Sequence, residues 1–170
     1  AEDMTELGAT LVEIGEPDLV SLVQDVSVIR QEFKFDLNAY LRETPGSPVD
    51  SLTEIVSGGL YHDGTAGGNL PGFLEVDSLD TDQYRERINK RDEVRATIVS
   101  LMDEQMLDAL LYPTIRQTAR PIGQRQPGSN CALSATSGLP AITVPGGYAE
   151  DDMPVGLELL GRSWSEPRLV

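Results

Sequence analysis

The chain has 170 residues, of which 39% are apolar and 24% charged, and its formal net charge is −15. This composition is typical of a globular protein long enough to bury a sizeable core. The acidic balance argues against a nucleic-acid partner, which needs a basic face, and the lack of a long apolar run argues against a membrane span.

Two residue counts narrow the chemistry further. The single cysteine, Cys131, cannot form an internal disulfide, so it implies no oxidising compartment and favours the cytoplasm. The single histidine, His62, excludes a histidine-rich metal site and is the one residue available for any pairing of a nucleophile with histidine. We expect neither a metal nor a cofactor.

The first third of the chain predicts two helices and a strand. Residues 1–7 are typical of a final helical turn that Gly8 ends, and "ATLVEI" at 9–14 predicts a strand. Over 18–42 the apolar residues recur every three or four positions, which predicts one long amphipathic helix. The sequence "TPGSP" at 44–48 ends it.

The middle of the chain alternates helix and loop. Ser51 is followed three residues later by Glu54, a capping box that predicts a short helix over 51–56. The glycine-rich stretch 58–72 predicts a loop, and 80–106 predicts a second long helix. The expected buried face of that second helix comprises Tyr84, Ile88, Ile98, Leu101, Met102 and Met106.

The last third predicts the strands. A short strand over 108–114 ends near Pro113, a polar loop covers 116–128, and small residues over 129–137 favour a short helix that Gly138 ends. Two further strands, "PAITVPGG" and "PVGLELLGR", are joined by the turn "YAEDDM".

The final residues begin another helix. Ser165, Glu166 and Pro167 are typical of a helix N-terminus, yet Val170 ends the chain. We therefore expect residues 1–170 to be a single-domain fragment truncated at both ends.

Several residues could carry chemistry, and each has a plainer interpretation. His62 lies in the glycine-rich loop without a visible nucleophile, so we favour an exposed loop histidine. Cys131 could be a thiolate at a helix N-terminus, but we favour a small buried residue in tight helix packing. Ser134 and Ser137 have no Lys or His partner in the local sequence, so neither is favoured as a nucleophile.

Three acidic residues, Asp77, Asp80 and Asp82, suggest cation binding. The EF-hand spacing, with its central Gly and terminal Glu, is absent. Solvated acids around a helix N-terminus are the favoured interpretation.

The segment 107–170 resembles the C-terminal part of the amidase-signature hydrolases. The resemblance depends on "LDALLYPT" (107–114), "GSNCALSATSGLPAITVPGG" (128–147) and "MPVGLELLGRSWSEPRLV" (153–170), in that order. Upstream, "EFKFDLNAYL" (32–41) and "VDSLTEIV" (49–56) are similar to the middle of the same family.

The resemblance implies an α/β fold in which this chain forms part of a mixed central β-sheet flanked by helices on both faces. It also implies amide hydrolysis by a Ser nucleophile, a second Ser in a cis peptide, and a Lys. The two Ser belong to a Gly/Ser-rich signature that nothing in this sequence matches, and neither Lys34 nor Lys90 lies in such a signature. We therefore expect no catalytic residue in this chain and no activity of the chain alone.

What the resemblance implies for these residues is support of a substrate pocket. The expected substrate-binding residues are Thr114, Gly128, Asn130, Ala132 and Leu133. The small residues Gly128, Ala132 and Ala135 would leave room for a ligand, and Asn130 would bond to it or cap the helix. The alternative is that the small residues only allow the helix to pack closely on the sheet.

Three hypotheses on function follow. In the first, the chain is the C-terminal portion of an amidase and takes part in binding a small-molecule amide. In the second, it is a non-catalytic binding or scaffolding module that reuses this half-fold. The third is a thiol hydrolase based on Cys131. A partial sheet would leave apolar edges exposed, so we also expect self-association or a partner chain that covers them.

Overall fold

The structure, a computed structural model, describes residues 2–15, 18–62 and 70–170. The chain divides into two compact units. Ala1–Gln24, Asp92–Thr118 and Gly128–Val170 form the first unit, and Asp25–Arg91 with Ala119–Pro127 forms the second. The assignment of the whole chain to one domain stays a prediction.

A three-stranded antiparallel sheet organises the first unit. Its strands are β1 (Ala109–Pro113), β2 (Ala141–Tyr148) and β3 (Pro154–Gly161), in the order β1-β3-β2. As the sequence indicated, β1 ends at Pro113, β3 ends at Gly161, and residues along β2 alternate in burial. The three predicted strands and the α/β class are therefore confirmed.

The strand register brings polar side chains together on one face of the sheet. Glu158 on β3 lies opposite Tyr112 on β1 and Thr143 on β2. Directly opposite residues of an antiparallel pair share a face, so these three side chains form one row across the sheet. Leu110 and Leu160, two residues away on their strands, are buried on the same face.

Helices complete the first unit: α1 (Glu2–Glu6), α2 (Leu19–Leu22), α7 (Ala132–Ser137) and α8 (Glu166–Leu169). The last of these, α8, contacts β2 and β3. The 23-residue helix α6 (Asp82–Glu104) starts in the second unit and ends in the first. Buried apolar residues of the first unit are Val94, Ile98, Met102, Leu110, Leu133, Leu139 and Leu160.

The second unit is helical. It contains α3 (Ile29–Glu43), α4 (Leu52–Ser57) and α5 (Leu70–Phe73), which contact one another. The N-cap half of the predicted capping box is confirmed, since Ser51 Oγ accepts from the Glu54 backbone N–H at 3.3 Å. Glu54 Oε2 accepts from the N–H of Asp50, the residue before the N-cap, at 3.1 Å. Leu52, the first residue of α4, is fully buried.

Two predictions near the N-terminus are wrong. Residues 9–14 form no strand, because a strand requires a paired neighbour and none of the described strands pairs with them. The helix expected over 18–42 is interrupted between α2 and α3. Asp25 has a φ of 56°, in the left-handed region, and Val26 and Val28 bury their side chains outside helical geometry.

Three details differ in the middle of the chain. Met106 was expected to be buried, but it lies beyond the end of α6 with 91% of its surface exposed. Leu70–Phe73, within the expected loop 58–72, forms the short helix α5, and residues 63–69 lie outside the described part. Val94, which was not expected on the apolar face of α6, is buried.

Candidate substrate-binding site

A cavity of about 470 Å³ lies in the first unit, where β1 ends and α7 begins. Most of its walls are apolar, with an amide, a hydroxyl, a phenol and a guanidinium among them. Its lining residues are Gly15, Leu19, Val23, Tyr112, Pro113, Arg116, Ser129, Asn130, Ala132 and Leu133. A mostly apolar cavity with a few polar groups is the usual form of a small-molecule site.

The loop that joins β1 to α7 is closed at its base by backbone and side-chain hydrogen bonds. Asn130 donates from its backbone N–H to Thr114 O at 3.1 Å and from Nδ2 to Pro113 O at 2.7 Å. The Arg116 N–H donates to Gly128 O at 2.9 Å. Asn130 therefore fixes the start of α7 against the end of β1.

The structure brings three of the five expected substrate-binding residues to this cavity: Asn130, Ala132 and Leu133. Thr114 is not among the lining residues. Its Oγ1 lies 3.4 Å from Thr143 Oγ1 on the sheet. Gly128 closes the loop base with a φ of 81°, a left-handed conformation that favours glycine. A ligand-binding role for all five residues stays a prediction.

Ala135, expected to leave room for a ligand, lines a second cavity of about 460 Å³ between the end of α7 and the start of α8. Arg95 on α6 closes this end of α7, since its Nε donates to Ser137 O at 2.5 Å. Gly138 follows with a φ of 65°. A cation at the last carbonyls and a left-handed glycine are both typical of a helix C-terminus.

A buried carboxylate connects α7 to the sheet. Glu158 is 5% exposed, and its Oε1 accepts from Tyr112 Oη at 2.7 Å. Ser134 Oγ lies 3.2 Å from the same oxygen and 3.3 Å from Cys131 O, and its single proton serves one of them at a time. Burial, followed by the hydrogen bond to Glu158, raises the pKa of Tyr112 above its ordinary value.

This geometry does not activate a serine. A serine nucleophile needs a general base such as His or Lys, whereas a carboxylate is a weak base toward a hydroxyl. Ser134 lines the second cavity, and no His or Lys is among the described residues that line it. The local sequence offers Ser134 no partner, and Glu158, 24 positions away, comes close to it only where α7 meets β3.

The other candidates have clear locations. Cys131 is exposed at the N-terminus of α7, so the expectation that it is buried is wrong. His62 belongs to the second unit. Asp80 and Asp82 both pair with Arg85, and Asp77 lies 3.6 Å from Lys34 Nζ. The described residues contain no group of three or more side chains suited to a metal ion.

Sequence reasoning missed Arg116, Tyr112 and the α2 wall of the cavity. One feature of the sequence could have pointed to Arg116. The segment 109–149 contains three arginines and no Asp or Glu, in a chain with 28 acidic and 13 basic residues. The contribution of α2 to the cavity could not be predicted from the local sequence, because it brings together residues about 100 positions apart. None of the described helices is long and apolar enough to cross a membrane.

Comparison with known proteins identifies the class of protein. The model of the amidase family matches residues 1–170. The chain is 31% identical over 149 residues to a probable amidase of Arabidopsis thaliana, covering 82% of the chain and 26% of that protein. It is 28% identical over 187 residues to the indoleacetamide hydrolase of Rhizobium radiobacter, covering 96% and 38%.

The fold agrees with solved structures. The native peptide amidase from Stenotrophomonas maltophilia superimposes with a TM-score of 0.76 at 27% identity, over 99% of this chain and 36% of that one. An amidase family protein from Bacillus anthracis gives a TM-score of 0.73 over 99% and 32%. The chain belongs to the amidase family, as a member with the amidase-signature fold, and spans about a third of the length of these relatives.

Proposed function

We propose that this chain forms one wall of the substrate site of an amide hydrolase. The observation that carries the proposal is the cavity at the end of β1, lined by Asn130, Ala132 and Leu133 from the segment that resembles the amidase-signature enzymes. Its apolar walls suit the hydrocarbon part of an amide, and Asn130 supplies a polar group for orientation.

The bond-breaking chemistry is assigned to residues outside these 170. An amidase-signature mechanism uses a Ser nucleophile, a Ser in a cis peptide and a Lys, and their Gly/Ser-rich signature has no match in this sequence. Ser134 contacts Glu158, lines the second cavity rather than this one, and has no His or Lys among the described residues around it, which supports a structural role for Ser134. The chain accordingly contributes shape and binding contacts to hydrolysis of a carboxylic amide C–N bond.

A first experiment separates this proposal from catalysis within the chain. The purified 170-residue chain is incubated with aryl and aliphatic amides, and ammonia release is measured. We expect no turnover above buffer. Turnover that Ser134→Ala or Cys131→Ala abolishes would place the chemistry here and overturn the proposal.

A second experiment tests the cavity wall in the longest encoded polypeptide that contains these residues. Ala132→Leu fills part of the cavity and should raise KM for a bulky amide more than for a small one. Ala135→Leu is the matched control on the same helix, since Ala135 is exposed and does not line this cavity. Equal effects of the two substitutions on KM would show that the cavity is not part of the substrate-binding site.

The reading frame decides between this proposal and a non-catalytic module. An upstream Gly/Ser-rich signature preceded by a Lys-bearing strand is expected for the amidase. A start codon directly before Ala1 would instead favour a binding or scaffolding module. The Cys131 hydrolase predicts rapid alkylation of that thiol at neutral pH, and labelling at the rate of an ordinary free thiol would eliminate it.

A further inference from the structure

Arg116 gives the cavity a specific electrostatic character. Among the described residues that line the cavity, Arg116 is the only charged side chain. The other walls are aliphatic or carry the neutral polar groups of Tyr112, Ser129 and Asn130. A single guanidinium in the lining of an apolar cavity favours a ligand that combines an apolar body with one negative charge.

The hydrogen bonding of Arg116 leaves its outer edge available. Its backbone N–H donates to Gly128 O at 2.9 Å, and its Nε lies 3.4 Å from the same oxygen. These contacts hold the side chain at the loop base. Its two terminal amino groups donate to no other described residue. Those two groups are the pair that binds a carboxylate in a bidentate arrangement.

The segment of chain that contains Arg116 supplies no acid to neutralise this charge. The segment 109–149, which supplies seven of the ten lining residues, contains no Asp or Glu, although the whole chain carries a net charge of −15. On the α2 wall the acid that precedes Leu19 is Asp18. Its carboxylate accepts from the Ser21 N–H at 2.9 Å, and hydrogen bonding with the Ser21 side chain, followed by this backbone bond, holds the pKa of Asp18 below its usual range.

We propose that Arg116 is a specificity-determining residue that binds the carboxylate of amide substrates carrying one. The inference rests on the proposed function, since it names the substrate class for the same cavity. The apolar walls would hold the body of the substrate, Arg116 would pair with its carboxylate, and the amide would extend from the mouth of the cavity. Neutral amides of equal size would lose the ion pair and keep the apolar contacts.

The first test measures binding, independent of hydrolysis. The 170-residue chain is titrated calorimetrically with 4-carboxyphenylacetamide and with its neutral methyl ester, which share the ring and the amide and differ in charge and by one methyl group. We expect the carboxylate to bind about five- to tenfold more tightly, the range of one partly exposed charge-assisted contact. Equal or undetectable affinity for the two probes would overturn the proposal.

Variants assign the preference to one side chain. Arg116→Gln should abolish the preference while ester binding stays within about twofold, and Arg116→Lys should keep part of it, since Lys retains the charge but not the planar fork. Arg125→Gln is the control, because Arg125 lies in the same loop with the same charge and does not line the cavity. Persistence of the preference in Arg116→Gln, or an equal loss in Arg125→Gln, would contradict the assignment.

The second test uses hydrolysis by the longest encoded polypeptide and separates the two proposals. We expect kcat/KM to favour the carboxylate amide and Arg116→Gln to remove that advantage through KM. A carboxylate preference in binding without hydrolysis of either probe would refute the amidase proposal and keep the anion subsite. Hydrolysis of both probes with equal kcat/KM would refute the subsite and keep the amidase proposal. A phosphate monoester analogue that binds as tightly as the carboxylate would show a general anion site and would also overturn the carboxylate assignment.

Discussion

Glu158 is a carboxylate taken almost completely out of water, and its neighbours explain how it is tolerated. Tyr112 Oη donates to it at 2.7 Å, and Ser134 Oγ lies 3.2 Å from the same oxygen. Hydrogen bonds offset part of the cost of burying a charge, and leaving such a group without its donors costs the full desolvation penalty. The pair of donors joins β1, β3 and α7, so a single residue stabilises the frame around the candidate site.

Replacement of Tyr112 by Phe tests this hydrogen bond. We expect Tyr112→Phe to lower the free energy of unfolding by about 1–3 kcal/mol at neutral pH, because a buried acceptor loses a donor. Tyr148→Phe is the control, since that ring is 77% exposed and lies at the end of β2. Urea unfolding followed by circular dichroism measures both, and equal effects of the two substitutions would contradict the role of the buried bond.

The same pair of variants predicts a pH dependence. The pKa of Tyr112 is raised in the folded chain, so its contribution to stability is complete below its unfolded value near pH 10 and decreases as the pH rises above it. The wild-type chain should therefore lose stability above about pH 10 more steeply than Tyr112→Phe. Unfolding curves at pH 8, 9, 10 and 11 test this, and parallel losses in the two proteins would contradict it.

At the level of elements, α7 is a six-residue helix held at both ends by residues from other elements. Asn130 ties its start to the end of β1, and Arg95 on α6 donates to the Ser137 carbonyl at its end. A helix this short is unstable alone, so its stability depends on these contacts and on the burial of Leu133. The end of α7 also favours glycine at 138, because φ there is 65° and an added Cβ would lie 2.5 Å from Arg95 Nη2.

Gly138→Ala tests this C-terminus. Gly15→Ala is the matched control, because Gly15 has a φ of 69° in the same unit and no described atom within 4 Å of an added Cβ. Both substitutions should cost about 1–2 kcal/mol in backbone strain, and Gly138→Ala should cost about 1 kcal/mol more as Arg95 is displaced.

A double-mutant cycle completes that experiment. In an Arg95→Ala background, Gly138→Ala should cost no more than Gly15→Ala, since the clash and the displaced hydrogen bond are gone. The readout is the free energy of unfolding from urea titration. An unchanged extra cost in that background would show that Arg95 is not the cause.

At the scale of the whole chain, apolar surface remains exposed. Trp164 is 90% exposed and Ile122 is fully exposed, and β1 and β2 are edge strands of the described sheet. Trp164 has a φ of 64°, a left-handed conformation that is uncommon for an aromatic residue. Exposed aromatic residues and open strand edges both favour association, which the strong negative charge opposes.

We predict that the chain associates with itself or with a partner chain through such surfaces. Sedimentation at two protein concentrations in about 0.15 M salt, where charge repulsion is screened, should reveal species heavier than 18.5 kDa. Trp164→Lys should weaken this association more than Ser163→Lys, which makes the same charge change beside it. A monomer at every concentration would contradict the prediction.

The local sequence was sufficient for elements whose causes are local. The capping box at Ser51, the left-handed Gly138 after α7, and the alternating residues of β2 and β3 depend on neighbours within a few positions. The prediction of a strand over 9–14 is wrong because a segment with a strand pattern is not stable without a paired strand. The prediction of one continuous helix over 18–42 is wrong because apolar periodicity does not reveal a single left-handed residue such as Asp25.

The order of motifs from 107 to 170 determined the α/β class and the resemblance to amidases. The resemblance pointed to Asn130, Ala132 and Leu133, which the structure brings to one cavity. Only the tertiary structure decided that Glu158 meets Tyr112 and Ser134, that α2 walls the cavity, and that Arg116 is its charged residue. Strand register and loop closure set these contacts, because they join residues far apart in the sequence. Sequence patterns act over a few residues, whereas a binding site is assembled by the pairing of distant segments.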